Sequence, residues 1–156
     1  MDVIATWRSL MFLVIFLAQR LHSLPPSRYK SRLGRMLTKL LIHGRMNSVA
    51  ELRMRDGSKM LLDARSRNQS GLFWSGEYDQ DDIDFFKVCI TMGNAVFDVG
   101  ANVGLITIPL ARFLRDNDGG TLVAFEPIKA NFDRLVDAIR LNDLTQIVIP
   151  FNRPLA

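Results

Sequence analysis

Six residues in the second half of the chain have types and spacing that could hold a nucleoside-like ligand. They are Asp98, Gly100, Ala101, Asn102, Gly104 and Glu126. Gly100 allows the chain to turn sharply and keeps a Cβ away from a ligand, while Gly104 allows a following helix to approach closely. Glu126 could accept hydrogen bonds from both hydroxyls of a ribose. Asp98 could orient the loop or contact an ammonium group.

The surrounding pattern predicts the elements that must position these residues. In chain order they are a strand ending at Val99, a helix to Leu114, a strand over residues 121–125, a helix over residues 131–141 and a strand over residues 147–151. Such a β-α-β-α order requires a parallel sheet with right-handed crossovers. Asp98 and Glu126, near the carboxyl ends of the first two strands, should therefore lie at one edge of the sheet.

Charge favours one kind of nucleotide cofactor over another. Dinucleotide sites use the pattern G-x-G-x-x-G and bind a pyrophosphate at the start of the helix, whereas Asn102 stands at the middle glycine position here. Asp98, just ahead of Gly100, would repel a pyrophosphate. S-adenosylmethionine has no phosphate and carries cationic sulfonium and ammonium groups, so an acidic rim favours it as the cofactor. An NAD-binding Rossmann fragment and a glycine turn in some other α/β protein are the alternatives.

The sequence of this segment resembles that of the FkbM-type methyltransferases. The similarity lies in Asp-Val-Gly-Ala-Asn-Val-Gly at residues 98–104, in Val-Ala-Phe-Glu-Pro at residues 123–127, and in the helix that begins near Asn131. On this resemblance, Glu126 holds the ribose of the cofactor, and Tyr78 and Asp79 cover the cofactor from above. The methionine and ribose side is lined by Asp98, Gly100, Ala101, Asn102 and Gly104.

The resemblance also implies an activity, S-adenosylmethionine-dependent O-methylation of a hydroxyl on a sugar, polyketide or other secondary metabolite. The expected partner is a small-molecule or glycan hydroxyl acceptor, with no nucleic acid and no metal. The implied fold is α/β, a Rossmann-like class I methyltransferase parallel sheet that is incomplete, with about three strands. The family's later acidic motif, of Ile-Asp-Val-Glu-Gly character, is absent. No catalytic residue is therefore assigned. We interpret the chain as a truncated form of the domain, and one hypothesis is that this form is inactive.

The first 47 residues differ from the rest in composition. The nine apolar residues from Leu10 to Ala18 would extend only ~14 Å as a helix, against ~30 Å for a hydrocarbon core. Seven basic residues and no acidic one lie from Arg20 to Arg45. One hypothesis is a non-catalytic module that contacts the cytoplasmic face of a membrane through the segment from Leu10 to Arg45. The alternative is an amphipathic helix pair that packs on the domain or on a partner subunit.

Three segments are expected, over residues 1–47, 48–75 and 76–156. In the second segment, Asp56-Gly57 between alternating runs predicts a β-hairpin, and residues 65–75 are predicted to form a loop. The cytoplasm is the expected location, because no secretory signal is evident.

The acidic run from Asp79 to Asp84 predicts the start of a helix that carries Ile83, Phe86 and Ile90 on one face. Cys89, the single cysteine, is predicted to be a small buried side chain.

Overall fold

The computed structural model describes residues 3–24, 28–41, 48–90, 95–117 and 119–155. The chain divides into two compact units, Met1–Glu77 and Tyr78–Ala156, called here the N-terminal unit and the C-terminal unit. Residues 25–27 and 42–45 of the segment from Leu10 to Arg45 lie outside the described residues. The division into three segments stays a prediction.

The N-terminal unit contains three helices and a two-stranded antiparallel sheet in its described part. Its elements are α1 (Val3–His22), α2 (Arg28–Leu41), β1 (Val49–Arg53), β2 (Lys59–Asp63) and α3 (Ser70–Ser75). The predicted hairpin is confirmed, with Arg53 opposite Lys59 in the register. Gly57 adopts φ 83° in its turn, a conformation that glycine reaches without a steric penalty. Across the described ranges, no helix has the length and apolar content required to cross a membrane.

Helix α3 forms where a loop was predicted, and that prediction is wrong. Phe73 and Trp74 on this helix are fully buried, so the apolar area that they remove from water outweighs the loop-forming residues before them. Trp74 Nε1 donates a hydrogen bond to Thr38 Oγ1 at 2.9 Å. The imidazole nitrogens of His22 on α1 lie 3.1 and 2.9 Å from the carbonyl oxygens of Arg53 and Phe73. Burial and polar contacts thus join α1, α2 and α3.

The C-terminal unit contains a parallel sheet with the predicted α/β alternation. Its elements are α4 (Gln80–Cys89), β3 (Ala95–Val99), α5 (Thr107–Asp116), β4 (Thr121–Phe125), α6 (Lys129–Leu141) and β5 (Val148–Phe151). The strand order is β3-β4-β5. Val99 lies opposite Phe125, which lies opposite Phe151. The predicted fold class is therefore confirmed, an α/β parallel sheet preceded by helices and a hairpin.

The two faces of this sheet differ in burial. Leu122, Ala124 and Val148 are buried on one face, where α5 contacts β4 and α6 contacts β5. On the opposite face Phe97 is 61% exposed and Val99 is 58% exposed, whereas Phe125, the register partner of Val99, is buried. Side chains alternate between the faces of a strand, so both helices lie on the same side of the sheet.

Helix α4 corrects two expectations about its side chains. Of the three apolar residues predicted to share a buried face, Ile83 is buried but Phe86 is 40% exposed. The core therefore reaches this helix at Ile83 and does not extend to Phe86. Cys89 is exposed rather than buried. Asp79 immediately precedes the helix without a side-chain capping hydrogen bond. The acidic first turn still favours the helix through its electropositive N-terminus.

Candidate functional site

The loop after β3 turns back on itself by using left-handed backbone at three residues. These are Gly100 with φ 84°, Asn102 with φ 51° and Gly104 with φ 95°. Glycine has no Cβ to oppose such angles, and asparagine tolerates them better than most residues. The amides of Gly100 and Ala101 both donate to the carbonyl oxygen of Phe125, at 2.9 and 3.0 Å. The loop is thereby held against the carboxyl end of β4.

Glu126 follows β4 and fixes this loop through both oxygens of its carboxylate. Its Oε2 accepts a hydrogen bond from the Asn102 amide at 2.8 Å, and its Oε1 accepts one from the Ile128 amide at 2.8 Å. The residue is only 4% exposed, so these charge-assisted bonds offset the cost of burying the carboxylate. Each oxygen retains further lone-pair capacity for a ligand hydroxyl.

Asp98 supplies a second carboxylate near the end of β3. Its Oδ2 accepts a hydrogen bond from Thr107 Oγ1 at 2.5 Å. Burial raises the pKa of the Asp98 carboxyl above its ordinary value, the Thr107 hydroxyl opposes that rise, and the charge of Glu126 adds to it. Negative charge is therefore costly at this position, and a cation beside it would favour the ionised form.

The two loop glycines have different surroundings. A Cβ built on Gly100 would meet no atom within 4 Å, whereas one on Gly104 would lie 3.0 Å from Leu135 Cδ1 and 3.1 Å from Ile108 Cγ1. Gly100 therefore borders open space that a ligand could enter. Gly104 instead lets α5 and α6 pack closely, as expected from its position in the sequence.

The structure brings six of the predicted site residues together at one edge of the sheet, namely Asp98, Gly100, Ala101, Asn102, Gly104 and Glu126. Ala101 helps to hold the loop in place, because its side chain is buried and its amide donates a hydrogen bond to the Phe125 carbonyl. Tyr78 and Asp79 lie just before α4, where the Asp79 carbonyl accepts from the Ile83 amide at 3.1 Å. Their place over a cofactor stays a prediction.

Two polar residues at this edge were missed in the sequence. Thr107 is fully buried and donates to Asp98, and Asn152 Nδ2 donates to the Glu126 carbonyl at 2.8 Å. A threonine at the start of the helix that follows a glycine loop was an available signal. Asn152 follows the third strand, so the parallel topology places it at the same edge.

Comparison with known proteins shows a shared fold. No protein-family model matches the sequence, and no curated protein matches it. Among solved structures, TYW2 of M. jannaschii in complex with AdoMet matches with TM-score 0.52 and 23% identity, over 71% of this chain and 45% of that one. TYW2 of P. horikoshii in complex with MeSAdo matches with TM-score 0.55 and 19% identity, over 81% and 48%. The fold is that of the class I methyltransferases.

A third neighbour with the class I methyltransferase fold corrects an expectation about partners. The complex of aTrm5 with tRNALeu matches with TM-score 0.53 and 15% identity, over 82% of this chain and 41% of that one. The expectation that nucleic acid is excluded as a partner is therefore wrong, because proteins of this fold include one solved with tRNA. The chain spans less than half the length of each of these three proteins.

Proposed function

We propose that the C-terminal unit is the cofactor-binding part of an S-adenosylmethionine-dependent methyltransferase. The observation that carries the proposal is the 2.8 Å hydrogen bond from the Asn102 amide to the Glu126 carboxylate. This bond joins the glycine loop to the carboxyl end of the neighbouring parallel strand, which is where nucleotides bind in open α/β sheets. Neighbours of the same fold were solved with AdoMet and with MeSAdo, which supports the same cofactor here.

The residues of the site fit a cationic nucleoside. Glu126 would accept hydrogen bonds from the ribose hydroxyls with the lone pairs that Asn102 and Ile128 leave available. Asp98 would face the cationic methionine portion, and Gly100 would leave room for it. When bound, S-adenosylmethionine supplies an electrophilic methyl group. Tyr78 and Asp79 would cover the cofactor, as the FkbM resemblance implies.

The resemblance to the FkbM-type methyltransferases supports a hydroxyl of a sugar, polyketide or other secondary metabolite as the methyl acceptor. Transfer to such an oxygen depends mainly on holding the oxygen, the methyl group and the sulfur in line. The C-terminal unit would contribute to this step by fixing the cofactor through Glu126 and the loop.

RNA is a second candidate acceptor, for which the specific observations are the neighbour solved with tRNALeu and the charge of the N-terminal unit. That unit has 13 Lys and Arg residues against five Asp and Glu residues, for a net +8. A basic surface binds phosphate backbones irrespective of sequence. Incubating the chain with methyl-labelled S-adenosylmethionine separates the two acceptors, because label would enter either a panel of sugar and polyketide alcohols or RNA.

Calorimetric titration tests the cofactor proposal directly. We expect S-adenosylmethionine to bind the chain and Glu126→Gln to weaken that binding by about tenfold or more, since hydrogen bonds to a charged group contribute about 1.5–3 kcal/mol. Asp137→Asn is the matched control, because it removes the same charge from an exposed position on α6. Binding of NAD in place of S-adenosylmethionine, or an equal loss in the control, would overturn the proposal.

A further inference from the structure

A cavity of about 400 Å³ lies in the N-terminal unit, remote in sequence from the glycine loop. Its walls come from α2 and from the segment that runs from β2 into α3. The polar side chains that line it are Arg35, Thr38, Lys39, Arg65, Arg67 and Ser70. Its volume falls within the range of small-molecule sites, roughly 300–1,000 Å³.

Most of the residues that line this cavity are basic. Four of its side chains are Arg or Lys, two others are hydroxyls, and none is acidic among the described residues. Asp63 precedes the lining segment, and its Oδ1 accepts hydrogen bonds from Ser48 Oγ at 2.6 Å and from the Arg65 amide at 2.9 Å. Four like charges around one cavity repel each other, and a bound anion would offset that repulsion.

One wall of the cavity is fixed before any ligand arrives. Thr38 Oγ1 donates to the Gly34 carbonyl at 3.1 Å and accepts from Trp74 Nε1 at 2.9 Å. Trp74 is fully buried, so it holds α2 against α3 and keeps Arg35 and Lys39 near the segment that carries Arg65 and Arg67. The four basic side chains are themselves exposed, so the ordered part of this wall is its backbone together with Thr38 and Trp74.

We propose that this cavity binds a phosphorylated ligand that carries at least two negative charges. Arginine matches phosphate oxygens with paired donors, and the lysine and hydroxyl groups add further donors. The ligand would be either a soluble phosphate ester or the headgroup of an anionic lipid. Met36 and Leu40 on α2 are 51% and 58% exposed, and they follow the lining residues Arg35 and Lys39 directly in the sequence. These apolar side chains could insert into a membrane surface while the cavity binds a lipid headgroup.

Binding of inorganic pyrophosphate to the full chain tests the proposal, with sedimentation of phosphatidic acid vesicles as a second arm. We expect saturable pyrophosphate binding that the double variant R65Q/R67Q weakens about tenfold or more. Lys39→Gln, on the opposite wall, should also weaken it. Arg32→Gln is the matched control, because Arg32 is exposed on the same helix but is not among the lining residues, and it should change affinity less than about twofold.

The two arms distinguish the sources of the phosphate. Vesicle binding that pyrophosphate displaces identifies a lipid headgroup, and pyrophosphate binding without vesicle binding identifies a soluble ester; both support the site. An equal loss in Arg32→Gln and in the double variant would show only general charge attraction and would overturn the proposal. Absence of saturable pyrophosphate binding would overturn it as well, whether or not the chain binds RNA.

Discussion

The two units of this chain gather opposite charges. The N-terminal unit has 13 basic and five acidic residues, and the C-terminal unit has seven basic and 11 acidic residues. In the first, Arg35 and Arg67 border a cavity; in the second, Asp98 and Glu126 lie beside a glycine loop. The overall net charge of +4 hides this contrast. Ligand chemistry must therefore be inferred unit by unit, an anion for the first and a cation for the second.

One apolar cluster in each unit shows a second contrast. Phe73 and Trp74 are fully enclosed in the N-terminal unit, whereas Phe97 and Val99 in the C-terminal unit are more than half exposed. The core around Trp74 should therefore be sensitive to added volume. The exposed positions Phe97 and Val99 should tolerate substitution.

Gly34→Ala gives the largest expected effect, because it adds volume at the closed core. The new Cβ would lie 2.1 Å from Trp74 Cγ, and overpacking of this kind costs about 1–3 kcal/mol or more. We expect a marked loss of stability in urea unfolding followed by tryptophan fluorescence. Gly71→Ala is the control, since its Cβ would meet nothing within 4 Å. Equal unfolding midpoints for the two variants would contradict the described packing.

Gly104→Ala and Gly100→Ala sharpen the contrast within the site itself. Both residues have positive φ, so each alanine costs about 1–2 kcal/mol in backbone strain. Gly104→Ala should cost about 1 kcal/mol more, because its Cβ would press on the side chains of Leu135 and Ile108. Chemical denaturation measures the difference. Gly100→Ala should have the greater effect on cofactor affinity relative to its loss of stability, and the reverse ranking would contradict the assigned roles.

The sequence predicted the order of the elements well where local pattern and tertiary packing agree. The strands at Val99 and Phe125 and the hairpin at Gly57 carry strong local signals, namely an apolar run ending in a glycine turn and an Asp-Gly pair. Helix α3 was missed because its stability comes from burial of Trp74 against α2, which a local pattern does not reveal. Cys89 was misplaced for a similar reason, because the helical period does not show how far along α4 the core extends.

The sequence predicted which residues form the site better than it predicted the contacts between them. Spacing and parallel topology predicted that Asp98 and Glu126 would share an edge, and the structure places both there. The bond between Glu126 and the Asn102 amide depends on left-handed backbone at Asn102, which spacing alone does not specify. Thr107 and Asn152 were missed because their roles arise only when neighbouring strands align.

Asp98→Asn tests how the buried carboxyl of the C-terminal unit makes stability depend on pH. The native pKa of Asp98 is raised, first by burial, so the folded state binds this proton more tightly than the unfolded state. The stabilising contribution of the protonated group is fully present below the ordinary Asp pKa of 3.8 and is lost as pH rises through the raised native pKa. Urea midpoints of the wild type should therefore fall relative to those of Asp98→Asn across that window. A constant difference would contradict the described burial.

Phe97→Ser should have the smallest effect on stability, because Phe97 lies on the exposed sheet face. We expect a change of less than about 1 kcal/mol in unfolding free energy and reduced binding of a hydrophobic dye. Phe85→Ser is the matched control, since Phe85 is similarly exposed, at 65%, on α4. Equal reductions in dye binding would show that the sheet face is not a continuous apolar patch.

The most direct test of the cofactor site is to add S-adenosylmethionine to the isotope-labelled chain and follow its backbone amide resonances. We expect the largest shifts at residues 100–104 and 126–128, where Glu126 joins the loop to β4, and little change around Arg35 and Arg67. Shifts confined to the cationic cavity, or the same loop shifts on addition of NAD, would contradict this expectation.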